Sequence, residues 1–189
     1  EIYTLSLHDA LPISSLDRVA AEHGETCYEV PVGFKWVSAA IDRYDAVLGG
    51  ESSGGLTVRG HIAGKDGIYA GALLVEMVAR RAKPLSRIYA DIVARYGRLE
   101  MVESSLEFDP EVKEPLTRRI MVQRDLPDFG LEVRTVSTAD GCKVVFTDGS
   151  WVITRFSGTE PLLRVFAEAG TTEQAQRLVD TVQDYYQLH

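Results

Sequence analysis

The sequence has little cysteine, little histidine, no excess of positive charge and no long apolar run. Its two cysteines, Cys27 and Cys142, lie far apart and outside any Cys-x-x-Cys or Cys/His spacing. That excludes a disulfide scaffold and reads as reduced thiols in a cytoplasmic protein. The longest apolar stretch, Ile68 to Val78, is broken by Glu76 and is far too short to span a bilayer, so no membrane partner is expected. With 28 acidic against 20 basic residues, net −8, a broad nucleic-acid surface is excluded too. The 4 histidines stand at no metal-ligand spacing, and no metal site is expected in the chain. What remains, at 45% hydrophobic and 25% charged over 189 residues, is ordinary globular material for one domain or two small ones.

The charge is unevenly spread. Basic residues divide equally about position 97, whereas 16 of the 28 acidic ones follow it. Any anion site in the second half must therefore rely on local donors and not on the overall field.

Residues 1–13, EIYTLSLHDALPI, show no clean period and join no obvious element. They lack the basic start, apolar core and small-residue cleavage site of a signal peptide. They resemble the in-frame translation of a short-read sequencing adapter. The segment is therefore read as non-native and poorly packed, with the authentic chain starting near Ser14 in mid-domain, its first strand missing and a sheet edge left open.

From residue 14 to 97, strand and helix patterns alternate. Leu16, Val19 and Ala20 mark a helix face; 26–30 and 46–48 read as strands, and 33–41 as helix. Asp66 is an N-cap for an apolar helix through Val78, expected to be buried on more than one face. Another helix runs from Pro84 to Gly97. Such alternation implies an α/β domain with a mixed sheet between helical layers, truncated here. Residues 98–189 read as a smaller α+β domain with an antiparallel sheet. Strands at 132–138, 143–147 and 151–156 are separated by Asp140-Gly141 and Asp148-Gly149, and a fourth covers 162–168. A final helix opens at Thr171, with Gln174 completing a capping box and Ala175, Leu178, Val179, Val182 and Tyr186 forming one stripe.

Two loops carry chemistry. In Arg155-Phe156-Ser157-Gly158-Thr159-Glu160-Pro161, followed by Arg164, two guanidiniums and two hydroxyls surround a glycine that lets backbone N–H groups approach an anion. In Gly49-Gly50-Glu51-Ser52-Ser53-Gly54-Gly55, a carboxylate and two hydroxyls can reach a polyol. The same letters satisfy G-x-S-x-G with Ser52 as nucleophile, but Thr57 and Val58 follow where a helix is needed, and no suitable downstream His exists. Lys35, in GFKW near a helix start, could hold a phosphate or transfer a proton. Lys65, in HIAGKDGI, fails the P-loop pattern because Asp66 occupies the Ser/Thr position. Taken alone, both lysines read as solvated, and His61 as a loop hydrogen-bonding residue.

In this order, GFKW, GGESSGG, HIAGKDGI and RFSGTEPLLR resemble the C-terminal half of an α-D-phosphohexomutase, the family of phosphoglucomutases, phosphomannomutases and phosphoglucosamine mutases. The resemblance implies the family's third domain, truncated, over residues 14–97 and its fourth domain over 98–189. It also implies an isomerase of carbohydrate metabolism that moves a phosphoryl group between the 6- and 1-positions of a hexose through hexose 1,6-bisphosphate. Carried onto this chain, Glu51 and Ser53 would hold sugar hydroxyls. Arg155, Ser157, Gly158, Thr159 and Arg164 would hold the phosphate that is not being transferred. Lys65 and Lys35 would lie on the rim of the cleft, Lys35 as a phosphate contact or proton-transfer group.

The family's phosphorylated serine and its Mg²⁺ belong to T-A-S-H-N-P-like and D-G-D-x-D-R-like segments, and neither string occurs here. The implied partners are a phosphorylated hexose and the missing N-terminal domains, and the chain alone is expected to be inactive. Phe156 stands where the family often has Pro, and Glu-Ser-Ser in the sugar loop tilts the substrate towards glucose. The alternatives are a non-catalytic phosphosugar-binding module and a serine hydrolase.

Overall fold

A computed structural model describes the backbone of residues 3–7, 13–51, 54–157 and 160–188, with side chains from residue 15 onward within those ranges. The chain divides between Arg98 and Leu99 into two units.

The first unit contains β1 (Tyr3–Leu7), α1 (Ile13–Glu22), β2 (Cys27–Val30), α2 (Phe34–Tyr44), β3 (Ala46–Gly50), β4 (Leu56–Val58), α3 (Gly67–Arg81) and α4 (Leu85–Tyr96). Its sheet has the order β2-β1-β3-β4, with β1 parallel to both neighbours and β4 antiparallel to β3. Parallel pairs need crossovers, which α1 and α2 supply. Helix α2 buries Val37, Ala40 and Ile41, one face at helical spacing, against Ala46. It lies so close to β3 that a Cβ on Gly49 would stand 2.4 Å from Val37 Cγ1. The Tyr28 and Tyr44 rings stack at 4.0 Å and tie β2 to the end of α2. Arg95 pairs with Glu22, and Arg18 donates to the Tyr96 carbonyl, linking α1 to α4.

Two expectations need correction. Part of the 1–13 segment does join an element: Tyr3–Leu7 forms β1, and the edge expected to be open is filled. A strand between β2 and β3 satisfies both facing rows of backbone N–H and C=O groups, a strong demand on any chain able to extend. The packing of its side chains lies outside the described residues. Helix α3 is not buried on more than one face; it has no buried residue, and Ile68 and Val75 are 88% and 71% exposed. It lies against β4, whose three residues cannot cover a 15-residue helix.

The second unit is a five-stranded antiparallel sheet of order β5-β9-β8-β7-β6, made by β5 (Glu100–Glu107), β6 (Val133–Ser137), β7 (Cys142–Phe146), β8 (Trp151–Phe156) and β9 (Leu162–Ala169). Between β5 and β6 lie a short α5 (Lys113–Thr117) and one π-helical turn, Arg118–Val122. The final helix, α6 (Thr172–Tyr186), is capped by Thr171, whose hydroxyl accepts the Gln174 N–H at 3.2 Å. Its apolar stripe packs with Leu106, Ile120, Val144, Phe146, Val152, Leu163 and Val165 into one core. Strand β8 is buried on both faces from Trp151 to Thr154. On its second face the Trp151 indole donates to Glu168 at 3.0 Å, and the Lys143 ammonium lies 4.8 Å from that ring.

A polar staple fixes the end of α6. Arg119 pairs with Asp125 and lies over the Tyr185 and Tyr186 rings at 4.7 and 5.0 Å. Both tyrosine hydroxyls donate to Asp125, Tyr186 to its carbonyl at 2.6 Å. The Arg119 guanidinium, then the Tyr185 hydroxyl, hold the Asp125 carboxyl below the usual range. Burial pushes the Tyr186 phenol up. Among the described residues, no helix is long and apolar enough to cross a membrane.

Candidate functional site

In the first unit, GGESSGG is the turn of the β3–β4 hairpin. Gly50 faces Leu56 across the ladder, the Glu51 N–H donates to the Gly55 carbonyl at 2.7 Å, and the Gly54 N–H donates back to Glu51 at 3.0 Å. These bonds close the loop so that the Glu51 side chain is held inward, only 10% exposed. Its buried Oε2 forms an ion pair with the Lys65 ammonium. The Lys65 stem lies across Gly55, and its ammonium stands 5.7 Å from the Phe34 ring.

Pieces of GFKW, GGESSGG and HIAGKDGI thus come together as Phe34, Glu51 and Lys65. Lys35 does not join them: it is exposed at the start of α2, with its ammonium 5.0 Å from the Trp36 ring. Ser53 lies outside the described residues.

Lys65 is positioned by the turn before α3. The Asp66 carboxylate accepts the N–H groups of Ile68 and Tyr69, both at 3.0 Å, and pairs with His61 at 3.0 Å. The His61 ring also stacks on Tyr69 at 4.1 Å. These bonds, the Tyr69 N–H foremost and then His61, keep the Asp66 carboxyl below its usual range. His61 is therefore a loop hydrogen-bonding residue, as its isolation in the sequence suggests.

In the second unit, β8 and β9 carry the other loop. Arg155 and Arg164 sit directly opposite each other in the ladder. Like charges so placed repel, and an anion between them would offset the repulsion. Arg164 Nε is buried and has no hydrogen-bond partner among the described residues. A buried donor in that state costs free energy until something accepts from it. The loop is closed by the Ser157 N–H donating to the Leu162 carbonyl at 2.8 Å and the Glu160 N–H donating to the Ser157 hydroxyl at 3.3 Å. Gly158 and Thr159 lie outside the described residues.

Asp140, treated in the sequence only as turn punctuation, approaches this site. Its Oδ1 stands 3.7 Å from Arg155 Nε, with both side chains part-buried. The neighbouring Gly141, at φ 97°, presses on the same strand: a Cβ there would come within 2.6 Å of the Thr154 carbonyl and 3.2 Å of Arg155 Cβ. Among the described residues, no group of three His, Cys, Asp or Glu is placed to hold a metal ion.

Comparison with known proteins places this chain in a family. The model of phosphoglucomutase/phosphomannomutase α/β/α domain III matches residues 12–96, and that of the C-terminal domain of the same family matches residues 107–184. The chain belongs to the phosphoglucomutase/phosphomannomutase family. It is 30% identical over 87% of its length to a phosphoglucomutase/phosphomannomutase of Thermococcus kodakarensis, covering 34% of that protein. It is 34% identical over 82% of its length to a phosphoglucomutase of Komagataeibacter xylinus, covering 30% of it. The chain thus spans about a third of the length of the curated relatives it matches. A solved structure of a family protein from Burkholderia thailandensis, at 24% identity, shares the fold with a TM-score of 0.71 over 97% of this chain and 36% of that one.

Proposed function

We propose that the chain is the sugar- and phosphate-binding part of a phosphohexomutase that interconverts hexose 6-phosphate and hexose 1-phosphate, with glucose as the sugar. The observation that carries this reading is the cross-strand placement of Arg155 opposite Arg164, whose Nε is buried and has no hydrogen-bond partner among the described residues. Two charged forks flanking a loop of hydroxyls and backbone donors suit a phosphate dianion. In the proposal Ser157, Gly158 and Thr159 complete that anchor. Glu51, already inward and ion-paired, accepts sugar hydroxyls, Ser53 adds a hydroxyl, and Lys65 follows the carboxylate onto the sugar. Lys35 stays on the rim as a phosphate contact or proton carrier.

A reaction that turns a bisphosphate around in its site needs one fixed phosphate anchor and one grip indifferent to orientation; the two loops divide those tasks. Phosphoserine and Mg²⁺ belong in this reading to the rest of the protein. The described residues hold no metal-ligand group, and no step here passes through a metal. The hydrolase alternative is not supported: a strand, β4, follows G-x-S-x-G where a nucleophile elbow needs a helix.

Titration of the chain with glucose 6-phosphate and with inorganic phosphate tests the reading. Arg155→Ala is expected to weaken both by about 1.5–3 kcal/mol, the scale of a charged hydrogen bond. Glu51→Ala should weaken only the sugar phosphate. Unchanged affinity in Arg155→Ala, or equal losses for both ligands in Glu51→Ala, overturns the assignment. Turnover of glucose 6-phosphate by the full-length gene product tests the activity. Sequencing the gene across residues 1–13 tests the reading of that segment as adapter-derived.

A further inference from the structure

Lys65 brings a positive charge to a loop whose proposed ligands are uncharged hydroxyls, and several contacts keep it there. Its backbone is pinned at the start of α3, where the Asp66 carboxylate accepts the N–H groups of Ile68 and Tyr69, both at 3.0 Å. Its stem crosses Gly55 in the space a side chain would fill. A Cβ on Gly55 would stand 2.6 Å from Lys65 Cδ and 2.9 Å from its Cε. The ammonium pairs with Glu51 Oε2 and lies 5.7 Å from the Phe34 ring. The two partners are unequally placed: the Glu51 side chain is 10% exposed and that of Lys65 is 50% exposed. Lys65 is therefore the partner more open to an arriving ligand.

A carboxylate alone does not discriminate against amino sugars. It accepts hydrogen bonds from hydroxyls, and it attracts an ammonium more strongly still. A bare Glu51 would thus favour an amino sugar over a neutral one. Pairing with Lys65 cancels that attraction and sets a cation where a second cation would have to come. Any neighbouring pair of ring hydroxyls in glucose 6-phosphate includes the carbon that bears the amine in glucosamine 6-phosphate, or adjoins it. Whichever hydroxyls Glu51 takes, the ammonium of the amino sugar is brought towards Lys65, and like charges repel.

From this arrangement we infer that Lys65 is a specificity-determining residue, which makes the Glu51 loop select a neutral hexose phosphate over an amino hexose phosphate. The inference rests on the reading of Glu51 proposed above, as the group that accepts sugar hydroxyls. Selection then comes from a repulsive element placed against the competitor, and the carboxylate is left to hold the sugar.

The test is calorimetric binding of glucose 6-phosphate and of glucosamine 6-phosphate to the 189-residue chain at about pH 6.5, where the amine is protonated. The parent should bind glucose 6-phosphate about fivefold more tightly, the size of one screened charge contact near the surface. Lys65→Met keeps the stem and removes the charge, and should bring the two ligands to parity or favour the amino sugar. Lys65→Arg keeps the charge and should keep the preference. Gly55 does not have a positive φ, so Gly55→Ala suits the backbone; its methyl group displaces the Lys65 stem and should narrow the ratio. Lys83→Met removes the same charge beyond the far end of α3, a 15-residue helix about 22 Å long, and should leave the ratio unchanged.

Parity in the parent, or a preference for glucosamine 6-phosphate, overturns the inference. So does a parent-like ratio in Lys65→Met or Gly55→Ala, loss of the preference in Lys65→Arg, or an equal change in Lys83→Met. Glu51→Ala, measured alongside, separates the inference from the reading beneath it. If that variant weakens glucose 6-phosphate no more than inorganic phosphate, or if the parent binds neither sugar phosphate, the sugar reading of the loop fails and this inference with it. If Glu51→Ala weakens both sugar phosphates and Lys65→Met leaves their ratio as it was, only the role of Lys65 fails.

Discussion

The two units each present a polar loop at the end of a hairpin, but they support it with unequal cores. Behind the Glu51 loop stands a small buried cluster, Val37, Ala40, Ile41 and Ala46, and a β4 edge strand of three residues. Behind the Arg155 loop stands a core running through four of the five strands and α6, with β8 buried on both faces. A site on rigid, well-packed strands holds its donors in place before binding; one on a short edge hairpin has more ordering still to do. In the reading proposed above, the second unit would serve as the fixed anchor and the first as the grip that accepts more than one orientation of a sugar.

The largest effect that would break this comparison lies in the second core. Phe146 is fully buried, with Phe129 edge-on at 5.1 Å. Phe146→Ala should cost about 3–5 kcal/mol, including the cavity left behind. Denaturant unfolding followed by Trp151 in a Trp36→Phe background measures it, and a loss below about 1 kcal/mol would mean that this core is not the support described.

A smaller effect is expected in the first unit. Gly49→Ala drives a methyl group against Val37 and Ile41 and should cost about 1–3 kcal/mol through overpacking. Hydrogen exchange should speed up in β1, β3 and α2 and stay unchanged in β5 to β9. Acceleration in both units alike would remove the distinction between them.

The smallest effect sharpens the comparison through pH. Because Arg119 and Tyr185 lower the Asp125 carboxyl in the folded chain, the unfolded chain takes up its proton first as pH falls. The stabilisation is fully present above the ordinary value of 3.8 and is lost as pH drops through the lower folded value. Thermal melting of the second unit should therefore become less stable below about pH 4. In Asp125→Asn that part of the slope should disappear. An unchanged slope would mean that the Arg119–Asp125–Tyr185 staple contributes nothing in solution.

Much of this architecture is legible in the residues. Helix α6 can be read whole because its cap and its stripe are both local signals. The Asp-Gly pairs mark the β6–β7 and β7–β8 turns for the same reason. Strand β5 is not legible: Glu100, Glu103, Ser104, Ser105 and Glu107 hide the alternation that places Val102 and Leu106 in the core. The α5 segment carries Pro115 and continues into a π-turn, so it presents no clean helical period. Helix α3 misleads in the other direction, since its apolar letters promise burial that its short neighbour cannot provide. At the candidate site, the two loops are recognisable by their residue types, whereas the Glu51–Lys65 and Asp140–Arg155 pairs are not.

By itself, the sequence determined what acts over a few residues: caps, turn glycines, helical stripes, the clustering of Arg, Ser, Gly and Thr in one loop, and an acidic balance that confines any anion site to local donors. Only the tertiary structure decided which charges meet. It put Arg155 opposite Arg164, brought the Asp140 turn onto Arg155, and laid Lys65 against a buried Glu51. Those encounters depend on strand register and on how closely separate segments pack. Register is set by the burial of a whole face, so it cannot be read from any one stretch of the chain.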